Sequence, residues 1–174
     1  MQKKPITEKD VQEILKYRDN YLNLIHENMF TIQKEIQNTD DIIMSVSLPT
    51  YHEVGVQAGT GIYTGLEIVY EEYREILKKR KEEYVDMFFH LIEEEMSIER
   101  VWMCFLALRE PYFTILNELY VKKQLYSATE KVSGLSHPVF ERKRKEGIER
   151  IMRYYNSDKS ASELGELSEL PKFT

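Results

Sequence analysis

The stretch EKDVQEILKYRDNYLNLIHENMFTIQKEIQ, residues 8–37, decides the fold class of this chain. Its apolar residues recur at alternating intervals of four and three, which is the heptad spacing of a helix that packs along one stripe. This seam runs through Val11, Leu15, Arg18, Leu22, Ile25, Met29, Ile32 and Ile36. The spacing predicts one long helix, with Thr7 or Asp10 as its cap and Arg18 as the one charged residue in the seam.

Residues 64–95 repeat the pattern and predict a second long helix. Its seam runs through Leu66, Val69, Tyr73, Ile76, Arg80, Tyr84, Met87 and Leu91. Neither helix buries its stripe alone, so we expect an antiparallel, coiled-coil-like hairpin that packs on itself or on a second copy. Residues 38–63 contain Pro49 and three glycines without a helical period, and are expected to form a long loop.

Shorter helices are predicted beyond residue 96. Ser97 is expected to begin an apolar helix that ends before Pro111, and a second apolar helix should cover residues 111–121. Ser127 and Glu130 have the spacing of a capping box, which predicts a short helix that Gly134 ends, with Thr129 and Val132 facing inward. A final helix is predicted from about residue 137 to 155.

These elements predict an all-α protein in three parts. The parts are a helical hairpin for dimerisation or partner binding at residues 1–96, with its loop at 38–63, a small helix-turn-helix domain at 97–156, and a mobile polar tail at 157–174. Gly147 interrupts the final helix, where a glycine costs about 1 kcal/mol relative to alanine, and is best explained by close helix packing. The single cysteine, Cys104, lies in an apolar run and is expected in the core.

Charge is distributed unevenly along the chain. The net charge of the chain is −6. Between residues 122 and 153, however, there are nine Lys and Arg and only four Glu, which gives that span a charge of +5. A basic segment in an otherwise acidic protein favours a polyanionic partner such as nucleic acid.

Residues 98–155 resemble region four of bacterial sigma factors, and more closely the ArpU/RinA-type phage late transcriptional regulators. The resemblance is carried by ERVWMCFLAL, YFTILNELYVKKQLY and SGLSHPVFERKRKEGIERIM. The turn and helix positions of the sigma pattern fall on Gly134, Ser136, Phe140, Gly147, Ile148 and Ile151. With no region that would read a promoter −10 element, the resemblance implies a phage or prophage regulator acting near late promoters.

The resemblance also implies which residues meet duplex DNA. Base or groove contacts are expected from Ser136, His137, Glu141, Arg142 and Lys145, and phosphate contacts from Arg144, Arg150, Lys122 and Lys123. Arg142 suits guanine and Glu141 a cytosine amino group. RNA polymerase is implied as a second partner, and the N-terminal helices are expected to form a homodimer.

Two other functions fit the same pattern. One is a phage DNA-packaging component resembling a small terminase, and the other is a coiled-coil adaptor that binds protein but not DNA. No phosphate loop, nucleophile elbow or catalytic dyad is evident, so we predict neither enzymatic activity nor a cofactor. Asp86, His90 and Glu94 share one helical face but lack the paired motifs of a metal bundle. The polar N-terminus and the lack of a long apolar run predict a cytoplasmic protein that does not enter the membrane.

Overall fold

The computed structural model of the protein describes residues 5–47, 63–160, 162–164 and 166; for residues 46–47 and 63–68 only the backbone is described. These residues form helices and connections without a strand, which confirms the all-α prediction. The elements are α1 (Glu8–Ser47), α2 (Tyr63–Leu106), α3 (Tyr112–Leu116) with a π-helical turn (Asn117–Val121), α4 (Tyr126–Ser133) and α5 (His137–Asn156).

Helix α1 begins where the sequence predicts but ends later. Thr7 caps its start, because the backbone N–H of Asp10 donates to Thr7 Oγ1 and Asp10 Oδ2 accepts from the backbone N–H of Thr7. The prediction of a loop from residue 38 is wrong for residues 38–47, which are helical. Thr39 is buried there despite its polarity, because its hydroxyl donates to the carbonyl of Glu35. The rest of the predicted loop, residues 48–62, lies outside the described residues.

Helix α2 passes through the predicted boundary at residues 96 and 97 without a break. Ser97 does not cap a new helix, because its hydroxyl shares a hydrogen bond of 2.6 Å with the hydroxyl of Tyr155. Ile98 is buried and continues the helix into the core. The predicted end of the helix before Pro111 is confirmed. The predicted helix after it is also confirmed, as α3 and the π-helical turn.

The described residues divide into two compact units, and this division differs from the predicted domains. Unit 1 combines Met1–Leu24 with Glu94–Thr174, and unit 2 is Ile25–Glu93. Helices α1 and α2 contribute to both. They pack against each other, as predicted: Arg18 bridges Glu99 in unit 1 at 2.6 Å, and Asp40 bridges Lys81 in unit 2 at 2.5 Å.

Unit 1 holds most of the core. Its fully buried side chains come from α1, the end of α2, α3 and α5, and include Val11, Val101, Cys104, Phe105, Ile115, Leu116, Phe140, Ile148 and Ile151. Each Val, Leu, Ile or Phe in this set contributes roughly 1.5–3 kcal/mol through burial. The core position predicted for Cys104 is confirmed. Arg18 is tolerated in the α1 seam because its guanidinium also lies 4.8 Å from the centre of the Trp102 ring.

Unit 2 buries little, and the seam predicted for α2 is wrong at Val69, Tyr73, Ile76, Arg80 and Met87, which are exposed, whereas Leu77 is 6% exposed. Of the other seam residues, Tyr84 and Leu91 are partly buried, and the side chain of Leu66 lies outside the described part of the chain. At the exposed positions the inward stripe of α2 is displaced by one residue, which turns the face by about 100°. Of the α1 seam in this unit, Ile25 is buried and Met29, Ile32 and Ile36 are partly buried, as predicted.

Part of the predicted tail, residues 157–160, 162–164 and 166, is described by the structure. Ser160 and Glu163 form a capping box, in which the backbone N–H of Ser160 donates to Glu163 and the backbone N–H of Glu163 donates to the Ser160 hydroxyl. Leu164 is 1% exposed and packs on the core of unit 1. The described part of the tail therefore contacts the core of unit 1, and the mobility of the segment from residue 157 stays a prediction.

Candidate nucleic-acid interface

The connection between α4 and α5 is a short turn built on Gly134. This residue ends α4 with φ 65°, a left-handed conformation that glycine adopts without steric cost. Helix α5 then begins at His137, as predicted, with Ser136 at the N-cap position and Pro138 in the first turn. The predicted capping box of α4 is wrong, because α4 begins at Tyr126 and has no side-chain cap.

The inner face of α5 anchors it to the rest of unit 1. This face consists of Phe140, Gly147, Ile148, Ile151 and Tyr155, all buried. A Cβ atom at Gly147 would lie 3.1 Å from Leu116 Cδ1 and 3.4 Å from Tyr112 Cβ. The glycine therefore allows the close helix contact that the sequence predicts.

The opposite side of α5 is exposed and mainly basic. We define the outer face of α5 as Arg142, Lys145, Glu149 and Arg153, all of which are exposed. The Arg142 side chain is 64% exposed, and its Nε lies 3.8 Å from Glu146 Oε1. Lys145 and Arg153 make no ion pair with a described residue. Sequence reasoning left Arg153 out of the candidate site, although it continues the helical spacing of Arg142 and Lys145.

Two of the predicted contact residues are instead engaged within the protein. Arg144 is 14% exposed and donates from Nε to Glu141 Oε1 at 3.0 Å and from Nη1 to the Tyr120 hydroxyl at 2.6 Å. Glu141 also accepts a 2.5 Å hydrogen bond from the Tyr126 hydroxyl. Because their polar atoms are already used, we assign Arg144 and Glu141 a structural role rather than phosphate and base contact.

This network changes the acidity of its members. The hydrogen bond from Arg144, followed by that from Tyr126, lowers the pKa of Glu141. Burial and the hydrogen bond to Glu141 raise the pKa of Tyr126 to about 12. Burial opposes the charge of Arg144, but its bonds to Glu141 and Tyr120 prevail and raise its pKa. The Glu141–Arg144 pair is therefore ionised at neutral pH.

A second cluster surrounds the ring of Tyr112. Arg150 lies 4.4 Å and Lys143 4.9 Å from the ring centre, so both cations contact the aromatic ring. The Tyr112 hydroxyl donates to Glu146, and this bond, with that from Lys143, lowers the pKa of Glu146. Arg150 is exposed, so its guanidinium remains accessible from solvent.

The other four candidates are exposed but differ in how their side chains are held. Ser136 makes no capping hydrogen bond, and His137 Nδ1 lies 3.2 Å from Glu130. Lys122 pairs with Glu118 at 2.6 Å. Lys123 lies 4.8 Å from the centre of the Tyr17 ring.

Of the two α4 residues predicted to face inward, Thr129 is confirmed, because only 6% of its surface is exposed. The prediction for Val132 is wrong, because 86% of its surface is exposed. Val132 therefore lies on the solvent side of α4.

Comparison with known proteins identifies no relative. No family model matches the chain, and neither the curated proteins nor the solved structures contain a significant match. Among the described residues, no three His, Cys, Asp or Glu side chains gather as a metal site. No helix in the described ranges has the length and apolar character needed to span a membrane.

Proposed function

We propose that this protein is a sequence-specific, duplex-DNA-binding transcriptional regulator. In this proposal α4 and α5 act as a helix-turn-helix and α5 enters the major groove. The supporting observation is the outer face of α5, where Arg142, Lys145 and Arg153 are exposed beside one carboxylate, Glu149. The nearby Glu141 pairs with Arg144, and Glu146 pairs most closely with Lys143, so each of these carboxylates has a cation partner that is not part of the outer face.

The exposed residues have different roles in the proposed complex. Arg142 and Lys145 lie on the outer face in the N-terminal half of α5, and Ser136 and His137 lie at its start, from which a recognition helix reads base edges. Arg150, Lys122, Lys123 and Arg153 contact phosphates, which gives affinity without sequence choice.

The role in transcription depends on the sequence resemblance of residues 98–155. A phage or prophage origin, action near late promoters and contact with RNA polymerase have the same basis. A homodimer formed by the N-terminal helices would place two α5 helices on half-sites roughly 34 Å apart.

A protein-binding adaptor is the second candidate, and exposed apolar residues at the two ends of α4 favour it. Leu125, which immediately precedes α4, is 76% exposed, and Val132 in its last turn is 86% exposed. An adaptor predicts no DNA affinity at physiological salt.

The proposal is tested by incubating the full-length protein with fragmented genomic DNA of a bacterial lysogen and sequencing what it retains. Enrichment of one site beside a gene cluster supports a sequence-specific regulator. Uniform recovery of all fragments contradicts sequence specificity and favours the packaging function. Recovery of no DNA contradicts DNA binding and favours the adaptor.

A further inference from the structure

Helix α2 carries a second heptad stripe that faces solvent. We define the outer stripe of α2 as Val69, Tyr73, Ile76, Arg80, Glu83, Met87 and His90, which are spaced four and three residues apart. All seven are exposed, and Val69, Ile76 and Met87 are each more than half exposed. Large apolar side chains repeated along one exposed stripe indicate a surface that another molecule covers.

The position of this stripe suits a four-helix assembly. The inward stripe of α2 includes Leu77, Tyr84 and Leu91. Each of them lies one residue after a member of the outer stripe, namely Ile76, Glu83 and His90. One residue corresponds to about 100° around a helix, so α2 presents two contact stripes roughly at right angles. A helix in a four-helix bundle contacts two neighbours in this way, and α1 supplies only one of them.

We propose that the outer stripe of α2 pairs antiparallel with the same stripe of a second copy of this chain. The two helices cross at the midpoint between Lys81 and Glu82. Arg80 then lies opposite Glu83 of the second copy, and by symmetry Glu83 lies opposite Arg80. This inference deepens the homodimer in the proposed function and is independent of DNA binding.

The apolar residues and the flanking charges agree with this register. On either side of the two Arg80–Glu83 pairs, Ile76 faces Met87 of the second copy. Along one flank Lys79 lies beside Asp86 of the second copy, and both side chains are exposed. Opposite charges at such flanking positions determine the partner and orientation of a coiled coil.

Other pairings of the same stripe bring like charges together. A parallel pair would stack Arg80 on Arg80 and Glu83 on Glu83. Displacing one helix of the antiparallel pair by seven residues would place Lys79 beside Lys79, and Glu72 beside Asp86. The proposed register has like charges only towards its ends, where Glu72 lies beside Glu93 of the second copy, whereas these alternatives place like charges at the centre of the interface. Since like charges across an interface cost several kcal/mol, the charge pattern favours the proposed register.

Sedimentation equilibrium of the full-length protein tests the register by charge exchange. Wild type is expected to be a dimer at micromolar concentration. Arg80→Glu and Glu83→Arg each place like charges in both central pairs, so each should weaken dimerisation by more than about a hundredfold. Mixing these two variants should restore dimers, because every central pair is then of opposite charge. The double variant Arg80→Glu plus Glu83→Arg should also dimerise.

A matched control and a covalent test complete the experiment. Lys78→Glu reverses an exposed charge on the same helix but outside the stripe, and should leave the dimer intact. A mixture of the variants Ile76→Cys and Met87→Cys should form a disulfide between the two copies. Neither variant should form one by itself, because the same position in the two copies is separated by about 16 Å along the helices. Cys104 is buried and contributes little background.

A monomeric wild type overturns the inference. The inference is also overturned if the single charge reversals dimerise as wild type does, or if their mixture stays monomeric. A disulfide formed by Ile76→Cys alone would overturn the proposed register. Each variant is first checked for unchanged helix content by circular dichroism. None of these outcomes changes the expectation for DNA binding by the isolated chain, so the two proposals fail separately.

Discussion

The hydroxyl of Tyr126 in α4 donates a 2.5 Å hydrogen bond to Glu141 in α5, across the turn made by Gly134. Arg144 donates to the same carboxylate. The carboxylate therefore ties α4 to the first turns of α5 and fixes the direction in which α5 presents its outer face. This relationship makes Glu141 part of the scaffold that holds the proposed interface.

Removing either end of this bond should destabilise the protein. Tyr126→Phe is expected to lower the free energy of unfolding by about 1 kcal/mol, and Glu141→Gln by about 2 kcal/mol because it also leaves Arg144 without its carboxylate. In urea denaturation the double variant should lose less than the sum of the two single variants. Strictly additive losses would contradict a direct bond.

The same carboxylate should make stability depend on pH. The folded-state pKa of Glu141 is below its ordinary value of 4.5, so its contribution is present above that pH and is lost as pH falls through the lowered folded-state pKa. The difference in unfolding free energy between wild type and Glu141→Gln should therefore shrink between about pH 6 and about pH 3. A difference that stays constant or grows on acidification would show that the pKa is not lowered.

Gly147 should tolerate only the smallest substitution. In Gly147→Ala, the better helix propensity of alanine, about 1 kcal/mol, opposes a 3.1 Å contact with Leu116. In Gly147→Val, the added methyl groups overpack the same contact, and we expect a loss of about 1–3 kcal/mol relative to alanine. Thermal unfolding of both variants measures this order, and equal melting temperatures would contradict the close contact.

Arg142 and Arg144 lie two residues apart but should respond differently to substitution. Arg144→Ala removes a mostly buried cation and leaves Glu141 and Tyr120 without their partner, so we expect a loss of about 3 kcal/mol of stability. Arg142→Ala changes an exposed side chain and should alter stability by less than about 0.5 kcal/mol. Chemical denaturation of both variants tests the structural role of Arg144. Comparable losses of unfolding free energy in the two variants would contradict it.

The sequence predicted elements with regular periodicity better than their ends. The α1 seam, the glycine turn and the length of α5 were predictable, because heptad spacing and a glycine just before a basic helix are local signals. The end of α1 was missed because Thr39 continues the seam with a polar residue whose hydroxyl bonds to the backbone. Ser97 gave a false helix start because its hydroxyl has a partner 58 residues away, Tyr155.

The candidate site shows the same limit. Periodicity placed Arg142 and Lys145 on the solvent side of α5, but it could not reveal that Arg144 meets Tyr120 and that Glu141 meets Tyr126. Those contacts join residues from different helices, and no spacing in the sequence encodes them. The α2 seam failed for a related reason: α2 has two adjacent heptad stripes, and only packing against α1 decides which one is buried.

DNA binding by α5 is tested most directly by fluorescence anisotropy with the duplex enriched from genomic DNA, or with mixed-sequence duplex if no single site is enriched. Wild type should bind, with affinity that falls as salt rises. The double variant Arg142→Ala plus Lys145→Ala should bind the duplex at least about tenfold more weakly, with an unchanged melting temperature of the protein. The control is the double variant Lys34→Ala plus Lys78→Ala, whose substitutions lie outside unit 1, and it should bind as wild type does. No binding by wild type at low salt, or equal binding by both double variants, would contradict the proposal.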